Sequence, residues 1–363
     1  MQLDMHFYGT YALARAAGIP KIDAMTIAYA AQYVDDSNKK DSAPHEDGGL
    51  LFGIATAHSS LQCVGNHHID FSGNCEEQRK VWVPFHFLPG AEGTSFEEKL
   101  LCRKNSQPAQ DMMKNHIELA LQKDYGLELL GIAAHVYMDT FAHYGFSGIS
   151  SSMNAINDAS IETHNLTNRE MEQYVLDRKG AFLNLLGLES IASFIAEDST
   201  GSLGHGAVAT FPDRPFLEWS FEYERPRANG ETKEHRDNKK TFLEGCQNLH
   251  GYFSNFATRK YEQIDAIPFN DISIKLENII AFEGKCEERI QQWLTLEQNG
   301  TPLLESEIKY SESDWEKQKD LFDEKTTSSD SIESNVYRFH QAAAYHRYYV
   351  LKDLLPSHGL AVY

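Results

Sequence analysis

The sequence is short of cysteine, with five residues (Cys63, Cys75, Cys102, Cys246 and Cys286) spread over 363 positions and no Cys-x-x-Cys pair. The odd count and wide spacing argue against a disulfide framework, a zinc knuckle or a thioredoxin-type redox site. No apolar run approaches the roughly 18–20 residues that span a membrane. No basic residue precedes Arg15, so the basic opening of a secretory signal is missing. The default expectation is therefore a cytoplasmic protein with free thiols, although signal-independent export leaves no mark in a sequence. Positive charge is scarce too: 33 Lys and Arg stand against 53 Asp and Glu, a net charge of −20. A surface that tracks phosphates by counterion release needs clustered Lys and Arg. Long nucleic acid is thus not an expected partner, and an anionic membrane surface is disfavoured for the same reason. Internal repeats and periodic Gly or Pro are absent.

What is present is a core-forming inventory, 41% hydrophobic with 20 Phe and 17 Tyr, together with 16 His. Disorder is excluded by the first number. The second suits either scattered surface histidines or a His/Asp metal site. Apolar residues recur at helical spacing over 7–33, broken at Gly18-Ile19-Pro20, and again over 111–146, 168–198, 237–263, 271–296 and 332–355. Residues 50–88 hold short β-branched and aromatic pieces that fit a small hairpin or extended packing, and 200–230 reads as irregular. The acidic, Ser-rich stretch 298–334 reads as a mobile loop. The sum predicts an all-α, mainly helical fold, a multi-helix bundle with long irregular loops. Residues 1–363 form one domain in this reading, with chemistry concentrated in 1–215 and a helical C-terminal extension over 216–363.

The informative segment is His135-Val-Tyr-Met-Asp139-Thr-Phe-Ala-His143-Tyr-Gly. Each step of four residues advances about 400° on a helix, so His135, Asp139 and His143 share an arc of about 80°. The rest of that face is small or apolar, where ionisable groups must be paired or hold a cation. Imidazole and carboxylate are ligands preferred by zinc and related divalent ions. Four other places bring the same ligand types: Asp4-Met-His6, Asp35-Asp36 at a helix end, His86 in Pro-Phe-His-Phe-Leu-Pro, and His205 between glycines with Asp213 eight residues on. Each alone is weak, and their order along the chain raises them together.

That order resembles the zinc-dependent phospholipase C superfamily, which includes bacterial phospholipases C, the glycosylphosphatidylinositol-specific phospholipase D and a single-strand nuclease branch. The match covers about residues 1–215. The His135 to Gly145 piece looks most like the phospholipase D branch. The opening Met-Gln-Leu-Asp-Met-His-Phe-Tyr, Tyr-Val-Asp-Asp and Phe-His-Phe-Leu-Pro-Gly look like an uncharacterised bacterial branch. The resemblance implies a helical protein with two or three zinc ions, or other divalent metals, in a cleft. Asp35, His86, His135 and Asp139 would form one site, and His143, His205 and Asp213 a second. A third would sit around His6 with Asp139 bridging. In the phospholipases C the amino-terminal residue ligates through its amine; here either Asp4 substitutes for it or the third site is weak. Asp35 and Asp36 remain alternatives both as ligand and as the carboxylate that orients the attacking water.

The function so implied is phosphoester hydrolysis on a small phosphoester or phospholipid. Divalent ions outweigh the ligating carboxylates, so the cleft floor would be cationic within an acidic protein. Arg214 and Arg225 are candidates to contact phosphate. Phe7, Tyr8, Phe85, Phe87, Tyr137, Tyr144, Phe146 and Phe211 flank the ligands and fit either an apolar mouth or ordinary core. Rival readings are a nuclease or nucleotide phosphatase on the same site, and a non-catalytic binding protein with structural metal. An HD phosphohydrolase is weaker, because His68-Ile69-Asp70 separates the His and Asp it needs adjacent.

Overall fold

The protein is described from a computed structural model covering residues 1–38, 42–57, 78–185, 204–298, 300–305, 307–320 and 327–362. Cys63, Cys75, His68 and Asp70 fall outside these residues. A π-helical turn, Asp4–Gly9, runs into α1 (Thr10–Ala16), and α2 (Lys21–Asp36) follows after Gly18 takes a φ of 88° and Pro20 sets the entry. The hairpin β1 (Ser42–Pro44) and β2 (Leu50–Phe52) precedes a second π-helical segment, Gln78–His86. The short α3 (Phe96–Leu100) starts at a Ser95/Glu98 capping box, where each side chain satisfies a backbone N–H of the other end of the turn.

The long helical expectation over 111–146 resolves into α4 (Gln107–Ala120) and α5 (Gly126–His143). Ser106 caps α4 by accepting from Ala109 N at 3.4 Å. The break falls where the chain folds back: a Cβ on Gly126 would lie 2.4 Å from the Ala120 carbonyl oxygen. After the sheet strand β3 (Ile156–His164) come α6 (Arg169–Leu185), β4 (Glu218–Tyr223), β5 (Lys233–Asp237) and α7 (Asn238–Lys260), the last capped by Asp237. The expectation over 271–296 also divides, into α8 (Phe269–Ile280) and α9 (Cys286–Trp293). The minimal strands β6 (Glu297–Gln298) and β7 (Thr301–Pro302) pair with each other. The chain then forms α10 (Glu312–Asp320), α11 (Ser328–Ile332) and α12 (Asn335–Tyr349) before a last π-helical turn and the three-residue α13 (Leu355–Ser357).

The all-α expectation is overturned by the three-stranded antiparallel sheet β3-β4-β5, which makes this a predominantly helical but mixed α/β protein. The strands were readable. Glu-Trp-Ser-Phe-Glu-Tyr at 218–223 alternates, and Trp219, Phe221 and Tyr223 are all buried. Segment 200–230 is therefore not wholly irregular. Residues 298–334 likewise carry α10 and α11 rather than reading as a loop throughout, and Trp315 of α10 is buried against Tyr29 and Tyr33. Residues 81–86 are π-helical, not extended.

Two apolar clusters result. The larger joins α1, α2, α4, α5, α7, α8 and α12; the smaller lies under the sheet around Trp219, Phe221 and Phe211. Helix α5 is central, packing on α2, α4, α7 and α12. The region after 216 is thus not peripheral to it. No helix among the described residues is long and apolar enough to cross a membrane.

Candidate metal centre

Helix α5 presents His135, Asp139 and His143 on one buried face, each at most 4% exposed. The other ligand types arrive from four directions. Asp35 comes from the last turn of α2, His6 and His86 from the first two π-helical segments, and His205 and Asp213 from the segment between α6 and β4 that holds the 3-10 turn Gly206–Val208. A π-helical turn is wider than an α-turn and re-aims one side chain, which is why such turns recur at functional sites. Within the His205 turn Gly204 takes a φ of 57°, and a Cβ there would meet the Phe87 ring at 2.6 Å.

Three groups of side chains bring ligand atoms within 4.8 Å of one another: His6, Asp35 and His135; His86, His135 and Asp139; and His143, His205 and Asp213. Asp139 links them. Its Oδ1 lies 3.2 Å from His6 Nε2, and its Oδ2 lies 3.2 Å from His135 Nε2 and 3.6 Å from His86 Nδ1. Asp35 stands 3.8 to 4.0 Å from His135, His86 and His6. Asp213 Oδ1 is 3.1 Å from His143 Nε2 and 3.8 Å from His205 Nε2.

Four of the five rings have their outward nitrogen committed. His135 Nδ1 donates to Ala31 O at 2.8 Å, His86 Nε2 to Thr56 O at 2.8 Å, His143 Nδ1 to His86 O at 2.8 Å and His205 Nδ1 to Ala209 O at 2.7 Å. A neutral imidazole that donates from one nitrogen must present a lone pair from the other. These four rings therefore aim lone pairs inward, the arrangement in which metal-binding histidines are held. His135 Nε2 and His86 Nδ1 face each other at 3.3 Å across Asp139 Oδ2, which has no hydrogen-bond partner among the described residues. Two lone pairs and a carboxylate oxygen converging in a buried volume repel unless positive charge lies between them.

The protonation pattern follows from that field. Burial, reinforced by His135 and by the Met1 ammonium, pushes His6 down to about 4, so its ring is neutral, and both its nitrogens lack hydrogen-bond partners. Burial likewise takes His205 down to about 4. Burial would also lower His86, but Asp139 and Asp35 reverse the sign and raise it. For Asp139 and Asp213 burial opposes ionisation, yet the surrounding imidazoles and the Met1 ammonium hold both carboxylates well below their ordinary range.

Eight of the expected residues are brought together: His6, Asp35, His86, His135, Asp139, His143, His205 and Asp213. Asp4 is not. Its carboxylate turns away and accepts from Arg289 Nε at 2.7 Å and Nη2 at 2.9 Å, because the π-helical turn sends Asp4 and His6 to different sides. Asp36 is also elsewhere. It accepts from Tyr310 Oη at 2.5 Å, and burial raises its pKa to about 6, so Asp35 is the member of the pair that faces the centre. Arg225 is exposed, whereas Arg214 is buried. Most of the flanking aromatics are core: Phe7, Phe85, Tyr137, Phe146 and Phe211 have no exposed surface, and Phe87 stacks on His143 at 4.7 Å.

One participant carries no signal in residue type. The α-amino group of Met1 lies 2.8 Å from Asp139 Oδ1 and 3.3 Å from Asp213 Oδ1, joining the groups around those carboxylates. Burial would lower its pKa, but Asp139, Asp213 and Asp35 raise it to about 11. The backbone carbonyls that orient the rings are equally silent in sequence, since any residue supplies one.

These side chains form His/Asp clusters that could hold metal ions, and the unpaired inward-facing atoms of His6 and Asp139 fit that use. Neither a curated protein nor a solved structure matches the chain. A family model does match residues 1–354, and the chain accordingly belongs to that family, a family of unknown function (DUF6765).

Proposed function

We propose that the protein is a zinc-dependent phosphoester hydrolase of the phospholipase C type, acting on a small phosphodiester. The observation that carries this reading is the 3.3 Å approach of His135 Nε2 and His86 Nδ1, with both outer nitrogens already donating to carbonyls. The offsetting positive charge is either a proton on His86 or a metal cation. The neutral His6, the neutral His205 and the ionised Asp139 and Asp213 are the protonation states that metal ligands require. His6, Asp35, His86, His135 and Asp139 would hold the ions on one side, with His143, His205 and Asp213 on the other. Bound divalent ions would supply Lewis-acid polarisation of a phosphoryl oxygen and acidification of water.

The chain's own residues do the rest. The second nitrogen of four rings is fixed by a backbone carbonyl, so the ligand geometry is set before substrate arrives. Asp139 is 1% exposed, surrounded by imidazoles and the Met1 amine. Asp35 is 32% exposed and reaches the same cluster, so it is the carboxylate placed to accept a proton from an attacking water and pass it outward. Its neighbour Asp36 is bonded to Tyr310 and Gln32 instead.

Elemental analysis of the purified protein tests the metal, and hydrolysis of bis(p-nitrophenyl) phosphate with and without chelator tests the chemistry. Two or three zinc ions per chain and chelator-sensitive turnover are expected. Less than one ion per chain, with His86 protonated in its NMR spectrum, would show that the proton fills the centre instead.

A further inference from the structure

The metal centre accounts for Asp213 but not for the residue that leaves the same turn. Arg214 is 3% exposed, and its Nε has no hydrogen-bond partner among the described residues. Its Nη2 donates to Thr210 Oγ1 at 3.2 Å, and its guanidinium lies over the Tyr174 ring at 5.1 Å. No carboxylate stands within ion-pair distance of it among the described residues. Lys285 Nζ lies over the same tyrosine ring at 5.2 Å, and the Lys285 side chain is exposed at the start of α9. One turn further on, Arg289 sits 5.9 Å from the Phe216 ring.

Three cations thus gather beside the centre in a chain whose net charge is −20. The carboxylates near them are already engaged. Asp4 is held by Arg289; Asp213 is held by His143 and the Met1 amine; Glu283 accepts from the backbone of Thr167 and Asn168; and Glu288 accepts from Lys285 N. Arg289 has its partner, whereas among the described residues Arg214 has the Thr210 hydroxyl and the Tyr174 face, and Lys285 that same face. A guanidinium buried with no carboxylate in ion-pair contact is costly. An arrangement of this kind is offset when an anion arrives, through charge-assisted hydrogen bonds from a planar donor set.

We propose that Arg214 and Lys285, mounted on the two cation contacts of Tyr174, form an anion subsite beside the metal centre that takes a second negative group of the substrate. The substrate class is then a phosphoester that also carries a carboxylate or a further phosphate, and the subsite selects it over a zwitterionic or neutral ester. Arg214 supplies the buried contact and Lys285 the exposed one, so the anion enters from the α9 side. This rests on the reading of the His/Asp clusters as a phosphoester site.

The experiment compares two ligands of the zinc-loaded full chain by calorimetry: propylphosphonate, and 3-phosphonopropionate, which replaces a terminal methyl by a carboxylate. We expect the wild type to prefer 3-phosphonopropionate by about tenfold to a hundredfold, the range of one charge-assisted contact. Arg214→Gln should bring the ratio to within about threefold of unity, and Lys285→Gln, at an exposed position that does not threaten folding, should lower it by about threefold or more. Zinc content is measured in every sample. A preference that survives both substitutions, or its absence in the wild type, overturns the subsite alone. A zinc-loaded wild type that binds neither phosphonate overturns the phosphoester reading and the subsite with it.

Discussion

His135 shows how little of a ligand's role lies in its own identity. Its ring is useful because Ala31 O fixes Nδ1 as the donor and thereby turns the Nε2 lone pair toward Asp139 and His86. Replacing it with alanine removes one lone pair from two of the three clusters. We expect His135→Ala and Asp139→Ala each to lose at least about one zinc ion per chain, and to lower phosphodiesterase activity by about a hundredfold or more. Full metal content in both variants by elemental analysis would sink the assignment. The adjacent carboxylates of α2 separate cleanly in the same assay. Asp35→Asn should weaken zinc binding and lower turnover, whereas Asp36→Asn should keep the metal, because its side chain bonds to Tyr310 and Gln32 instead. Equal metal loss in both variants contradicts that division.

Helix α5 delivers three candidate ligands, and its neighbours determine where it sits. Gly131 lets α2 approach closely: a Cβ there would lie 2.3 Å from Ile27 O and 3.1 Å from Ala31 N. The same close approach brings Ala31 O to His135. An alanine ordinarily favours a helix over glycine by roughly 0.5–1 kcal/mol, yet at this position the clash is with backbone that cannot swing away. Gly131→Ala is therefore expected to destabilise by about 1–3 kcal/mol and to weaken zinc binding, read by thermal melting and competitive chelation. A raised melting temperature would mean that helix propensity outweighs packing. At the other end of α5 the sheet acts as a buttress. Arg236 of β5 is fully buried, donates to Ala142 O at 3.1 Å and to Tyr144 O, and lies over the Tyr144 ring at 4.0 Å; Arg227 donates to Gly145 O at 3.0 Å. Cations at a helix carboxyl end satisfy orphan carbonyls and complement the helix dipole. The strands missing from an all-helical reading thus hold the turn that carries His143.

For the molecule as a whole, the buried charges set a pH window in the chelated protein. His6, His205 and His346 have folded pKa values near 4, and burial also lowers His116; each binds protons more readily when unfolded. Their contribution to stability is present above about 6.5 and is lost as pH falls from there toward 4. His250 is lowered by burial as well, and these five outnumber His86, Asp36 and Glu128, whose raised pKa values run the opposite way. The Met1 amine, raised from 8.0 to about 11, stabilises fully below 8 and loses that contribution as pH climbs through 11. The melting temperature of the metal-free protein is expected to peak between roughly pH 6.5 and 8 and to fall on both sides. A melting temperature that rises steadily from pH 7 to pH 5 would contradict the neutral-histidine account.

The helical majority and the order of eight candidate ligands are legible in the sequence, because both are written in local spacing. The i, i+4, i+8 relation of His135, Asp139 and His143 survives in any helix, whatever packs against it. It did not determine which of Asp35 and Asp36 faces inward, since adjacent residues on a helix differ by about 100° and only the packing of α2 on α5 and α10 selects one. Nor did spacing show that Asp4 belongs to Arg289, 285 positions away, or that the Met1 amine meets Asp139. Those contacts are long-range, and the carbonyls that orient the rings carry no residue identity. Tertiary structure decided them because a lone pair's direction depends on what binds the other side of its ring, a relation between distant backbones that no local pattern encodes.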